Sequence, residues 1–206
     1  MNSKISSLKE KMKQALTSTM KVISEDYKIK DKKLANKDIN NSEILAIDDL
    51  SGPKDFIKFR AEFDSAALEK KFSNKEIYKN NVPKNSSCRS LYAIAEKTRY
   101  ELLGSQMLKG IEKNLSENYN QKMDSKKDQK LNTKDDVLVT EAFELYMLKN
   151  FQKIKLNPLS EKKLNFWEKD FDKSIKKHFS FLKDNLENQK IYCSKFSEIL
   201  QDMDIF

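Results

Sequence analysis

Apolar residues recur along this chain at three- and four-residue steps, separated by runs of lysine, asparagine and glutamate. Leu8, Met12, Ala15, Leu16, Thr19, Met20 and Ile23 form one stripe of a helix. Ser7-Leu8-Lys9-Glu10 fits a capping box at its start, in which serine and glutamate satisfy free amides. Gly52-Pro53 marks a restart, because proline suits a first helical turn. Phe56, Phe59, Phe63, Ala66, Ala67 and Phe72 then predict a second helix. "NNVPKNSS" (Asn80 to Ser87) is a connection whose serines can cap a third helix, spanning roughly Ser87 to Tyr119. Phe143, Tyr146, Met147, Phe151 and Ile154 predict a helix from Thr140 to Ile154, ended by Asn157-Pro158. Ser160 starts another, striped by Leu164, Trp167, Phe171, Ile175, Phe179, Leu182 and Leu186. The last runs from Gln189 to Met203 through Tyr192, Phe196, Ile199 and Leu200. The pattern predicts an all-α bundle of about six helices.

Two stretches break the pattern. Ser24 to Ser51 is polar with short apolar touches, and near residues 28–47 it admits either a small β-hairpin or a surface loop. Asn120 to Asp136, "NQKMDSKKDQKLNTKDD", lacks periodicity and reads as a polar loop or linker. Composition agrees with helices: three glycines and three prolines in 206 residues leave little turn chemistry for a β-rich fold. That length suits one helical domain over residues 1–206. The start lacks the apolar segment of a secretory leader, and no run approaches the roughly 18 apolar residues of a membrane span. The expectation is a cytoplasmic protein without a membrane partner, with Cys88 and Cys193 reduced.

Charge opens a second possibility. A net charge of +8 suggests nucleic acid, an anionic membrane or an acidic partner. Only Arg60, Arg89 and Arg99 among the 40 basic residues are arginine, the residue that nucleic-acid surfaces favour. Lysines solvating helix faces is therefore the preferred reading, and nucleic acid is disfavoured. A lysine-rich helical binding module, for nucleic acid or another acidic partner, is the alternative function. Glycine at only three positions excludes a phosphate-binding Walker loop and a dinucleotide fingerprint. A single histidine, His178, excludes a two-histidine zinc motif and reads as a surface or interface residue. Cys88, Cys193 and His178 lack the paired spacing of a structural zinc site. No catalytic, cofactor-binding or metal-ligating residue is assigned.

"AEKTRYELLGSQMLKGIEKNL", residues 95–115, carries the most informative polar residues. At about 100° per residue, Tyr92, Arg99, Leu103 and Gly110 share a sector with Glu96 and Asn114 close by. Glu96 and Arg99 can pair along the helix, within a mostly apolar sector. Such a buried pair needs further partners, since losing one member costs about 3–5 kcal/mol. Asp64 of the second helix, or Arg60 with Glu96 or Glu101, is the expected completion. Gly104 and Gly110 each cost about 1 kcal/mol relative to alanine inside a helix, so they predict a closely packed neighbouring backbone, with Asn114 at the same close crossing. The cluster is either a polar clamp between core helices or a surface for a partner or ligand.

"LYAIAEKTRYELLGSQMLKGIEKNL" resembles the N-terminal region of the CobT subunit of aerobic, ATP-dependent cobaltochelatase, a family carrying F-D-A-x-E-Q-A-R-x-E-A-x-G followed by M-x-G-V-x-x-N-L. Glu96, Arg99, Glu101, Gly104, Gly110, Asn114 and Leu115 stand at matching positions, whereas Lys97 and Thr98 depart from the pattern. "MKQALTSTMKVIS" is similar to the family's first helix, and "FRAEFDSAAL" to its T-R-G-x-x-D-x-x-A-L, placing Arg60, Asp64 and Leu68. "TEAFELYMLKNF" and "KLNFWEKDF" resemble later helices, and "SEILAIDDL" is an eroded form of its G-x-x-A-x-L-P-x-L-P segment. The family's C-terminal integrin-like metal-binding domain, with its DxSxS motif, is expected to be absent from this chain. The resemblance implies a complex that inserts cobalt into hydrogenobyrinic acid a,c-diamide during cobalamin biosynthesis. In it a large chelating subunit binds tetrapyrrole and metal, an AAA+ ATPase subunit uses ATP and Mg, and the CobT subunit couples the two. It implies a non-catalytic scaffold here, with no cofactor bound by this chain.

Overall fold

The computed structural model describes residues 2–26, 52–125 and 131–203, and among them the regular elements are all helical. Ten α-helices follow in order: α1 (Asn2–Ser24), α2 (Pro53–Phe72), α3 (Lys75–Asn80), α4 (Ser86–Met107), α5 (Lys109–Asp124), α6 (Val139–Asn150), α7 (Pro158–Asn165), α8 (Glu168–Ile175), α9 (Phe179–Asp184) and α10 (Gln189–Gln201). Single 3-10 turns occupy Lys134–Asp136 and Lys176–His178. The hairpin expected near residues 28–47 lies outside the described residues. No described helix is long and apolar enough to cross a membrane.

Asparagine starts many of these helices. Asn74, Asn85, Asn157 and Asn188 are the N-caps of α3, α4, α7 and α10, each side chain accepting from a first-turn amide. Asn85 therefore caps α4, not a serine of the same loop. α1 begins at Asn2, so Ser7 falls inside the helix and the capping box expected there does not mark its start.

The third predicted helix is two helices. Leu108 adopts extended backbone (φ −139°, ψ 115°) between α4 and α5. A straight continuation would carry the Ile111, Leu115 and Tyr119 stripe away from the core. The break returns α5 along both α4 and α2, burying all three residues. α5 also runs on to Asp124, into the segment read as a loop, because buried Met123 extends the same four-residue stripe. The helix expected from Ser160 is likewise divided into α7, α8 and α9.

Helix α4 is the hub, packing against α2, α5, α6 and α10. Around it Leu91, Ala95, Phe143, Tyr146, Phe171 and Phe196 are buried, with Phe143 and Phe171 edge to face at 5.4 Å. Each large apolar side chain of this set stabilises by about 1.5–3 kcal/mol through lost apolar exposure. Arg89 and Lys97 of α4 reach solvent, whereas Glu96, Arg99 and Glu101 point into the interior, where each needs internal partners.

The two α4–α5 glycines have opposite roles. A Cβ on Gly104 would overlap both Cδ atoms of Leu68 and sit 2.9 Å from its Cγ. Leu68 is fully buried and has no room to withdraw. Gly110 does not support close packing: it is exposed in the first turn of α5, with nothing within 4 Å of such a Cβ. The break at Leu108 is what turned it outward. Gly104→Ala is expected to cost about 1–3 kcal/mol through overpacking. Gly110→Ala is expected to stabilise by about 0.5 kcal/mol, by restricting the unfolded chain. Urea unfolding of both variants reads the two signs.

Candidate functional site

Arg99 lies mid-way along α4 and is 1% exposed. Its guanidinium meets Glu96 bidentately, Nε donating to Oε2 at 2.8 Å and Nη2 to Oε1 at 2.9 Å. The remaining donors reach other elements: Nη2 to the Phe72 carbonyl at 2.6 Å and Nη1 to the Leu186 carbonyl at 2.9 Å. Glu96 is equally occupied. Its Oε1 accepts from the Ser73 hydroxyl at 2.5 Å and from Gln189 Nε2 at 2.8 Å. Gln189 Oε1 in turn accepts the Asn74 amide at 2.7 Å. One buried ion pair thus ties together the end of α2, the α2–α3 junction and the α9–α10 junction.

The thiol of Cys193 donates to Glu96 Oε2 at 3.3 Å. Burial, reinforced by the adjacent Glu96 carboxylate, pushes that thiol up to about 12. It stays protonated at neutral pH and is a poor nucleophile there. Cys88 is also a free, buried thiol, bonded to the Leu200 carbonyl at 3.2 Å.

Neither Asp64 nor Arg60 completes the Arg99 network. Asp64 accepts from Asn114 Nδ2 at 2.7 Å, fastening α2 to α5, and Arg60 Nε lies 3.8 Å from it with its side chain 39% exposed. Burial raises the Asp64 carboxyl above its ordinary 3.8, against the Asn114 hydrogen bond and the Arg60 charge. Asn114, expected at a close helix crossing, is instead this carboxylate's donor.

Glu101 pairs with neither arginine, because two residues along a helix is about 200° around it from Arg99. It forms a third centre, accepting from Ser65 and Tyr119 hydroxyls, each at 2.6 Å, and from Gln152 Nε2 at 3.1 Å. Lys97 Nζ stands 3.8 Å away. Ser73, Gln189 and Cys193 escaped sequence reasoning, as did Ser65, Tyr119 and Gln152. They come from loops and from helices up to about a hundred residues distant, and no local spacing marks them. Among the described residues no group of three or more His, Cys, Asp and Glu is placed to hold a metal ion. What the centres can do chemically is fix helix junctions, since both oxygens of Glu96 and of Glu101, and Oδ2 of Asp64, are already taken by internal donors.

Arg99→Met and Glu96→Gln are each expected to cost about 3–5 kcal/mol, by stranding a buried charge. Glu96→Met combined with Arg99→Met should cost less than the sum of its single substitutions by about 1–3 kcal/mol, measured as urea-unfolding free energies. Asp64 gives a separate pH signature. Its folded form holds the proton to higher pH than the unfolded chain, so stability falls as pH rises from 3.8 through the raised folded value. Asp64→Asn abolishes that fall, and the stability difference should shift towards the variant across this window.

No curated protein and no solved structure matches the chain. The model of the family described as cobalamin biosynthesis protein CobT matches residues 6–206. The match takes in α2, α4 and α5 with all three polar centres, and the chain belongs to the CobT family of cobalamin biosynthesis.

Proposed function

We propose that this chain is the non-catalytic scaffold and coupling subunit of an ATP-dependent cobaltochelatase. In this reading cobalt and hydrogenobyrinic acid a,c-diamide are substrates held by the large chelating subunit, and ATP with Mg is used by an AAA+ ATPase subunit. The chain joins these partners in the cytoplasm and binds no cofactor itself. The observation that carries the reading is the family match over residues 6–206.

The interior supports it physically. A body that passes movement from one subunit to another must not yield at its own helix junctions. Arg99 and Glu96 tie two such junctions to the central helix with directed, charge-assisted bonds. Glu101 and Asp64 hold α4 and α2 to α5. The ionisable groups of α4 are spent on rigidity, which fits a coupling part.

Size-exclusion chromatography of the chain mixed with the ATPase subunit tests the reading. Co-elution is expected with ATP and Mg present, together with cobalt insertion that depends on adding this chain to the other two subunits. Separate elution in every nucleotide state would refute the docking role.

A further inference from the structure

A groove of about 770 Å³ lies open to solvent directly over the Arg99–Glu96 pair. Its walls are the last turn of α2 and the first turn of α10, and Ser73 and Gln189, both bonded to Glu96, line it. Lys70 and Lys71 stand on one wall and Lys190 on the other, against a single carboxylate, Glu187. Lys71 is already engaged with Glu25. Lys70 and Lys190 are exposed and make no ion pair or side-chain hydrogen bond among the described residues.

We propose that this groove docks an extended acidic peptide segment of a partner protein. The inference stands on the groove's own lining and does not depend on the chelatase reading. Small-molecule sites are enclosed and mostly apolar, whereas this one is polar and open. An extended segment presents alternate side chains on one face about 7 Å apart, so successive carboxylates can meet lysines on the two walls. Asn188 caps the Ile191 amide, and the Gln189 and Lys190 amides ahead of it have no acceptor within their helix, which adds partial positive charge to the same wall. Nucleic acid fits less well. The groove holds no arginine, and its single aromatic, Phe72, is half-buried with Lys71 lying 5.7 Å from its ring, which leaves little surface for base stacking.

Fluorescence anisotropy of the whole chain with a labelled peptide of alternating glutamate and serine tests this. The matching glutamine–serine peptide and a labelled oligothymidine are the controls. Saturable binding of the glutamate peptide is expected. Lys70→Glu with Lys190→Glu should weaken it about tenfold or more, because both contacts become repulsive. Lys109→Glu with Lys177→Glu, an equal change of net charge on exposed lysines outside the groove, should leave it within about twofold. Circular dichroism and urea midpoints confirm that both pairs fold. The proposal is overturned by equal losses from the two pairs, by tighter binding of oligothymidine, or by no difference between the peptides.

Discussion

The architecture depends on taking one guanidinium out of water. Removing a charge from solvent costs several kcal/mol, and a pair of charges recovers that only when its geometry and remaining hydrogen bonds are good. Arg99 meets both conditions: Glu96 is bidentate, and two carbonyls from different elements take further donors. Lysine could not serve, because its ammonium is a point charge without the planar fork that reaches a carboxylate and two separate carbonyls. Phe72 and Leu186 contribute their carbonyls where one helix ends and another has yet to begin. Without Arg99 those acceptors would be left inside the protein without a donor, each at a desolvation cost of about 1–3 kcal/mol. An apolar replacement for the pair would leave the junctions unsatisfied.

The same logic divides the charges of α4 into independent centres. Glu96 and Arg99 face α10 and the end of α2, whereas Glu101 faces α5 and Gln152 beyond α6. Asp64 forms its own link between α2 and α5. Each carboxylate has donors from at least one other element, so every centre fixes a relative placement. No side-chain partner is shared between the centres.

Much of this was legible in the chain. Helical stripes gave the all-α class, and nearly every stripe residue of the later helices is buried. Arg99 and Glu96 were recognisable because an i, i+3 ion pair within an apolar sector is anomalous on a solvated helix. The break at Leu108 was not legible, because neither proline nor a positive φ enforces it. Tertiary packing of Ile111, Leu115 and Tyr119 does. On one continuous helix Gly110 would lie against a neighbouring backbone; the break at Leu108 places it at the surface. Met123 was the signal that α5 passes Asn120, hidden among lysines and an aspartate. Gln189 bonds the Asn74 amide across 115 residues, a distance over which periodicity has no reach.

Arg99's cluster and the groove above it share Ser73 and Gln189, and this joins fold to surface. Both side chains are ordered from below by Glu96, so the groove wall is set before any partner arrives. Preorganisation lowers the entropy lost on docking. It also works in reverse: a segment that engages α10's first turn and α2's last would resist their separation, adding to what Arg99 does from inside. With such a segment bound, the buried pair and the exposed lysines would act on the same two junctions from opposite sides, one through directed bonds and the other through charge.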